Sequence, residues 1–199
     1  MRYEPDRKQR TREKVLRAAA KAIRAQGPHR VGVAQVMGKA GLTHGGFYAH
    51  FSSKDALIAA AIRQMFQEGL STWDSCTQGK GPAESLNAYV DFYLSPAHRD
   101  AVGAGCPIPA LAPELRRLTK SCRDEFAKGV AALTERICTA LERLGIEKAD
   151  EEASSMLAEM VGALALARAE PDTARSNAIL EASKRRIKAR FAASAARST

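Results

Sequence analysis

Helical spacing of the apolar residues is the feature that most restricts how this chain can fold. Apolar positions recur every three or four residues along almost the whole chain, and no segment shows the alternation of β-branched residues that a strand requires. The pattern predicts an all-α protein. With 199 residues, the chain is long enough for a compact domain with a small appended module, which excludes fibrous and wholly disordered classes.

Glycine, proline and capping residues divide this pattern into separate helices. Ser52 and Asp55 are expected to form a capping box, and Thr43 is expected to cap the preceding short helix. Gly129 is a candidate for a break in one long helix. The predicted helices span residues 9–26, 33–39, 43–49, 53–77, 82–94, 114–144, 150–169 and 173–193, with a frayed basic arm at 1–8 and short helical pieces at 103–113.

Positive charge is concentrated at the start of the chain. Residues 1–54 hold 12 Lys or Arg and 3 Asp or Glu, which accounts for the whole net charge of +9, while residues 55–199 are neutral. Basic side chains beside phosphates gain free energy by releasing counterions, so the first quarter of the chain is expected to bind a polyanion. Nucleic acid is the first candidate, and an anionic membrane surface is the alternative.

The cysteines and the apolar segments indicate the cellular setting. Cys76, Cys106, Cys122 and Cys138 are too few and too widely spaced for a disulfide scaffold, and no pair has metal-ligand spacing. No signal peptide and no apolar segment of membrane-spanning length is visible. We therefore expect a soluble, cytoplasmic protein with no metal, no cofactor and no membrane partner.

Two short helices joined by a tight turn at Gly41 predict a helix-turn-helix, whose second helix can enter a DNA major groove. The second helix carries small and hydrogen-bonding residues. Gly45 and Gly46 each cost about 1 kcal/mol relative to alanine in a helix, so their presence needs a reason. Close approach to a base edge or a phosphate is the reason that the sequence suggests.

This segment resembles the N-terminal motif of the TetR family of bacterial transcription regulators. The matching residues are Ala40-Gly41-Leu42-Thr43, Phe47-Tyr48, His50-Phe51, Lys54-Asp55 and Leu57, with His44-Gly45-Gly46 at the family's variable triplet. The resemblance implies an N-terminal three-helix DNA-binding domain over residues 1–54. It also implies a C-terminal helical ligand-binding and dimerisation domain over residues 55–199.

The resemblance also assigns roles at the DNA. Thr43, Tyr48, His50 and Lys54 would contact phosphates, and the residues that would face bases are His44, Gly45 and Gly46, with Gln35 assisting. Taken singly, Tyr48 is as well explained as a half-buried tyrosine and His50 as a histidine at a helix end. The two glycines leave little side chain for direct readout of bases, so the operator sequence does not follow.

The family's sensor domain needs a ligand cavity and a dimer interface, and the sequence offers candidates for both. Aromatic and methionine side chains suit a ligand cavity, although an ordinary packed core is the alternative for each of them. The candidates are Met65, Phe66, Trp73, Tyr89, Tyr93, Cys106, Phe126 and Met160. The helix at 150–169 is apolar on more than one face, and we expect it to form a dimer interface with Ile179, Leu180 and Ile187.

Cys106 lies in a Gly-Cys context similar to one that some regulators of this family use to sense electrophiles or oxidants. An inert buried cysteine is the alternative. The basic run Lys184–Arg190 is expected to be a solvated helix face rather than a membrane contact.

The function implied is a dimeric repressor that binds a palindromic operator and is released by a small molecule or an electrophile, without enzymatic activity. A nonspecific architectural DNA-binding protein and a cysteine-dependent enzyme using Cys106 are the alternatives.

Overall fold

A computed structural model describes the backbone of residues 3–195 and the side chains of residues 7–191. Within these ranges the chain forms α-helices and two 3₁₀ helices and no strand, which confirms the all-α prediction. The α-helices are α1 (Tyr3–Gln26), α2 (Val33–Lys39), α3 (Lys54–Thr77), α4 (Pro82–Tyr93), α5 (Pro96–Asp100), α6 (Ile108–Leu111), α7 (Lys120–Glu142), α8 (Ala149–Ala169) and α9 (Thr173–Ala195). The 3₁₀ helices are His44–Ala49 and Ala112–Arg117.

Two predicted boundaries are wrong, and one short helix, α5, was not predicted. Residues 3–8, predicted to be part of a frayed arm, belong to α1. The other two residues of the predicted arm, 1–2, lie outside the described backbone. Ser95-Pro96 ends α4 but also starts α5, because the Ser95 hydroxyl accepts a hydrogen bond from the His98 N–H at 3.1 Å. The helix predicted from residue 114 begins at Lys120, since Leu118 is extended (φ −92°, ψ 160°). This helix, α7, continues through Gly129 without a break.

The capping predictions at the start of the third and fourth segments are also corrected. Ser53, not Ser52, caps α3, because its hydroxyl accepts a hydrogen bond from the Ala56 N–H at 3.0 Å. Thr43 occupies the N-cap position of the 3₁₀ helix with an extended backbone, but its side chain accepts no capping hydrogen bond. The hydroxyl of Thr43 is therefore not used by the helix that it precedes.

The chain divides into two compact units. The first unit comprises the residues up to Gln67 together with Gly103–Gly129. Its core is built from side chains of α1, α2, α3, α6 and the first 3₁₀ helix, each at most 2% exposed: Val15, Ile23, Val36, Met37, Phe47, Leu57, Ile62, Met65 and Leu111. The first unit therefore extends beyond residue 54, and the predicted functional division at that residue stays a prediction.

The second unit comprises Glu68–Val102 and the residues from Val130 onward. Here α8 packs along α9, and α4 contacts both helices. Apolar side chains that are at most 1% exposed fill its centre: Leu86, Val90, Tyr93, Leu94, Ile137, Leu141, Met160, Leu164, Leu180 and Ile187. Because Leu180 and Ile187 are buried within the chain itself, the expectation that they reach a dimer partner is wrong.

Ion pairs join the helices of the second unit. Lys188 on α9 donates to Asp91 on α4 at 2.6 Å, and Arg190 donates to Glu152 on α8 at 2.9 Å. Lys184 pairs with Glu181 on its own helix at 2.6 Å. Much of the C-terminal basic run is thus paired with carboxylates of this chain. No helix in the described part of the chain is both long and apolar enough to cross a lipid bilayer.

Candidate nucleic-acid interface and sensor residues

The helix-turn-helix is formed by α2, a turn at Gly41 and the 3₁₀ helix His44–Ala49, which we call the recognition helix. Gly41 has φ +74°, a conformation that glycine adopts without strain, and the Leu42 N–H bonds the Met37 carbonyl at 2.9 Å. Phe47 is 2% exposed, and its ring stacks on that of Phe51 with centroids 5.7 Å apart. These contacts fix one face of the recognition helix against the core and leave the other face to solvent.

The solvent face carries most of the residues that we predicted to contact DNA. Thr43, His44 and Gly45 are exposed, and Tyr48 is 71% exposed, which is unusual for a tyrosine that only completes a core. A Cβ at Gly46 would lie 3.7 Å from Met37 Cε, whereas a Cβ at Gly45 would meet nothing within 4 Å. Neither packing nor a left-handed backbone requires glycine at position 45.

His50 and Lys54 present defined donors beside the recognition helix. Nδ1 of His50 is buried and has no hydrogen-bond partner among the described residues, so Nε2 is the ring nitrogen left for an external acceptor. The Lys54 ammonium donates to the His29 carbonyl at 3.4 Å, which leaves further N–H groups for another partner. Gln35, the remaining predicted contact, is exposed on α2.

Arg12 is a basic residue at this surface that sequence reasoning did not single out. Its guanidinium carbon lies 5.1 Å from the centroid of the Phe51 ring, a cation–π geometry that orients the side chain. The sequence places Arg12 off the apolar stripe of α1, but only the folded chain shows that it stands over Phe51. Further exposed cations of α1 are Arg7, Lys8, Arg10, Lys14, Arg17 and Lys21.

The predicted ligand-binding residues are divided between the two compact units. Met65, Phe66, Cys106 and Phe126 lie in the first, and Trp73, Tyr89, Tyr93 and Met160 lie in the second. Rings meet at centroid distances of 5.5 Å for Phe66 with Phe126, 4.6 Å for Trp73 with Tyr89 and 5.8 Å for Tyr89 with Tyr93. The two methionines are fully buried. The ligand-binding role of these eight residues stays a prediction.

Two pockets of the second unit are lined by other residues. One of about 340 Å³ is bordered by Arg99, Arg168 and Ser176, and one of about 500 Å³ is bordered by Leu141, Lys148 and Arg190. In the first of these, Arg99 donates to Ser176 at 2.8 Å and to Asn177 at 2.7 Å. Its guanidinium therefore serves to connect α5 with α9.

Cys106, the predicted sensor, shares its intermediate exposure with Cys76, whereas Cys122 and Cys138 are buried. Cys106 is half-buried in the first unit, just before Pro107 and the four-residue α6. Burial raises the pKa of the thiols of Cys76, Cys122 and Cys138, which keeps them in the unreactive thiol form. None of the four is in a disulfide. Among the described residues, no group of three or more His, Cys, Asp or Glu is arranged to hold a metal ion.

A basic helix, a tight-turn helix pair and an exposed polar face on the second short helix define a helix-turn-helix DNA-binding regulator. Comparison with known proteins agrees. Residues 15–61 match the family model described as bacterial regulatory proteins, tetR family. Residues 82–185, just over half of the chain, match the model for the C-terminal domain of LmrA/YxaF-like transcriptional regulators. The chain belongs to the TetR family and is a transcriptional regulator, a class whose members are usually repressors.

Similar proteins of known sequence come from Bacillus subtilis. The chain is 26% identical to the HTH-type transcriptional regulator LmrA over 161 residues, covering 76% of this chain and 82% of LmrA. It is 35% identical to the uncharacterized HTH-type transcriptional regulator YvdT over 93 residues, covering 45% of this chain and 48% of YvdT. The match thus spans about half the length of YvdT.

Solved structures share the fold over nearly the whole chain. A TetR transcriptional regulator from Chloroflexus aurantiacus is 26% identical, with a TM-score of 0.79 over 92% of this chain and 95% of that one. The reduced form of NemR from E. coli is 22% identical, with a TM-score of 0.79 over 89% of this chain and 95% of NemR. The similarity to NemR shows a shared fold.

Proposed function

We propose that this chain is a dimeric, ligand-responsive repressor that binds a palindromic operator and leaves it when a small molecule or an electrophile is bound. The observation that carries this proposal is the exposed polar face of the recognition helix, where Tyr48 is 71% exposed in a strongly basic segment. His44, Gly45 and Gly46, with Gln35, read bases, and Thr43, Tyr48, His50 and Lys54 bind phosphates. The functional division falls after residue 54. The protein works in the cytoplasm, where the DNA is.

A two-fold partner is supported by the surface of α8. Leu166 is 62% exposed there, and the neighbouring outward positions, among them Ala158, Gly162 and Ala169, are small. A second copy placing the same face against this one buries Leu166 in an isologous contact. Dimerisation then supplies two recognition helices, which reach successive major grooves if they stand about 34 to 36 Å apart.

The ligand that releases the protein from DNA is assigned to the eight predicted ligand-binding residues, which include Cys106. Cys106 is half-buried, as Cys76 is, and support for Cys106 comes from the raised pKa of the other three thiols, whose burial makes them less reactive. Treatment with an alkylating agent is expected to release the protein from DNA, and Cys106→Ser is expected to resist that treatment. Equal release of both proteins would exclude Cys106 as the sensor and leave the small-molecule route.

DNA binding is tested by fluorescence anisotropy with a duplex from the region upstream of the chain's own coding sequence and a shuffled duplex of equal composition. A repressor binds the first much more tightly. Equal affinity for both would support the nonspecific architectural alternative. Light scattering tests the dimer. Leu166→Glu should give a monomer with no operator affinity, whereas Ala127→Glu, which introduces the same charge at an exposed position of α7, should stay dimeric.

A further inference from the structure

A second group of basic side chains lies in the same compact unit as the helix-turn-helix, although it is far from that motif in sequence. The group comprises Arg116, Arg117, Lys120 and Arg123, which we call the α7 basic patch, and all four are exposed. Residues 114–124 hold these four cations and only two carboxylates. The neutral total over residues 55–199 hides this local excess.

The start of α7 lies against the start of α3. The Cys122 thiol contacts the Asp55 carbonyl, with Sγ and the oxygen 3.8 Å apart. Asp55 directly follows Lys54, whose ammonium is a phosphate contact in the proposed function. The first turns of the two helices are therefore neighbours.

A shared contact residue brings the patch still closer to Lys54. Oε2 of Glu114 lies 3.5 Å from Nε2 of His29 and 3.7 Å from Nη1 of Arg117. The carbonyl of the same His29 accepts the hydrogen bond from the Lys54 ammonium at 3.4 Å. Arg117 and Lys54 are thus linked through Glu114 and His29, the latter a residue of the α1–α2 connection.

The charges of the patch are held at the surface by local bonds. Lys120, with 81% of its side chain exposed, pairs with Asp124 on the same helix at 2.7 Å. Arg123 donates to the Leu118 carbonyl at 2.7 Å, which anchors its guanidinium beside the extended residue before α7. Exposed ion pairs of the Lys120 type contribute little to stability, so a phosphate can replace the carboxylate as the partner of Lys120.

We propose that the α7 basic patch binds the DNA backbone beyond the base pairs that the recognition helix reads. This inference rests on the proposed DNA binding and extends the contact surface past Lys54. At physiological salt the screening length is about 8 Å, so each cation of the patch acts on the phosphates close to it and adds to the contact that Lys54 makes. Such contacts carry no sequence information and add affinity through counterion release.

The test compares the wild-type full-length protein with the double variant Arg117→Gln/Lys120→Gln. A matched control is Lys128→Gln, because Lys128 is also an exposed lysine of α7 in an ion pair, with Glu125 at 3.3 Å, but lies two turns further along the helix. Affinity is measured by anisotropy against salt concentration. One probe is a random-sequence duplex of about 40 base pairs, since backbone contacts do not depend on sequence. Unchanged thermal unfolding shows that the variants are folded.

We expect the slope of log K against log salt to fall by about 0.9 for each phosphate that the double variant no longer neutralises, and to stay unchanged in the control. A second readout is duplex length: wild-type affinity rises when the footprinted duplex is extended at both ends, and the double variant gains less. Equal slopes and equal length dependence for the double variant and the control would overturn the proposal while leaving operator binding intact. A wild-type protein that binds no duplex would instead refute the proposed function.

Discussion

Gly129 on α7 packs so tightly against Phe66 on α3 that alanine at this position should destabilise the protein. A Cβ at Gly129 would lie 2.1 Å from Cγ of the Phe66 ring and 2.2 Å from its Cδ2. Carbon atoms in contact are about 3.5 to 4.0 Å apart, so the ring must move by about 1.5 Å. Phe66 is 5% exposed and packs edge-to-face on Phe126, which leaves the ring little space to move.

Two opposing terms determine the magnitude for Gly129→Ala. Alanine gains about 1 kcal/mol over glycine inside a helix, and overpacking a filled core costs about 1 to 3 kcal/mol, with the high end applying to contacts this short. We expect a net loss of about 1 to 2 kcal/mol in the free energy of unfolding. Gly69→Ala, in the interior of α3 with nothing within 4 Å of the added Cβ, should instead gain about 0.5 to 1 kcal/mol.

Urea unfolding measures the stability of both variants. One fixed protein concentration is used, because the apparent stability of the proposed dimer would depend on concentration. Combining Gly129→Ala with Phe66→Leu should recover part of the loss, since the two side chains share one space and their effects are not additive. If Gly129→Ala is as stable as Gly69→Ala, the packing argument for this crossing is wrong.

Three further predictions concern single side chains. Burial lowers the pKa of His98 from its ordinary 6.5, so the unfolded chain binds a proton that the folded chain does not. The free energy of unfolding should therefore fall as pH drops below 6.5. In urea titrations from pH 7 to 5, His98→Asn, whose amide can still donate to the Tyr93 carbonyl, should flatten this pH dependence. The hydrogen bond from Arg63 lowers the pKa of Glu125 from 4.5 to about 2, and this stabilisation is present above pH 4.5 and disappears as pH falls towards 2. Glu125→Gln should therefore lower the free energy of unfolding at pH 7 by about 1 kcal/mol, a small value because solvent screens the exposed Arg63. The difference from wild type should narrow in acid, and an equal difference at pH 3 would contradict this prediction. With Nδ1 of His50 buried, Nε2 is the ring nitrogen left to contact DNA. His50→Gln, whose amide can occupy the Nε2 position, should keep DNA affinity within about threefold of wild type in anisotropy measurements, whereas His50→Asn should reduce it by about tenfold. Tighter binding by His50→Asn than by His50→Gln would place the contact at Nδ1.

The helix pattern predicted most of the fold because it records burial directly. The bounds of α2, the end of α3 at Thr77 and the start of α4 at Pro82 are confirmed. The start of α7 was missed because Leu115 and Leu118 are three residues apart, a spacing that fits a 3₁₀ helix as well as an α-helix. Ser52 and Ser53 are equivalent in sequence, and only the folded chain shows which hydroxyl meets the Ala56 N–H.

The candidate site was predictable where its motif is local in sequence. The residues around Thr43 to His50 follow one another along the chain, so their common face follows from the helix they form. The predicted ligand-binding residues were selected by type and spacing, which identify buried positions such as Met65 and Met160 but contain no information about empty space. The α7 basic patch was missed because charges were summed over a long segment, and its proximity to Lys54 is a tertiary feature.

The open space at Gly45 has an evolutionary consequence. A new side chain can be introduced there without disturbing any neighbour, since an added Cβ meets no atom of the folded chain within 4 Å. In the proposed function Gly45 faces the bases, so on that proposal a duplicated copy of this gene can acquire a different operator preference through one substitution, with its scaffold unaltered. Stability imposes little constraint on divergence at this position, and the choice of target sequence remains free to drift or to be selected.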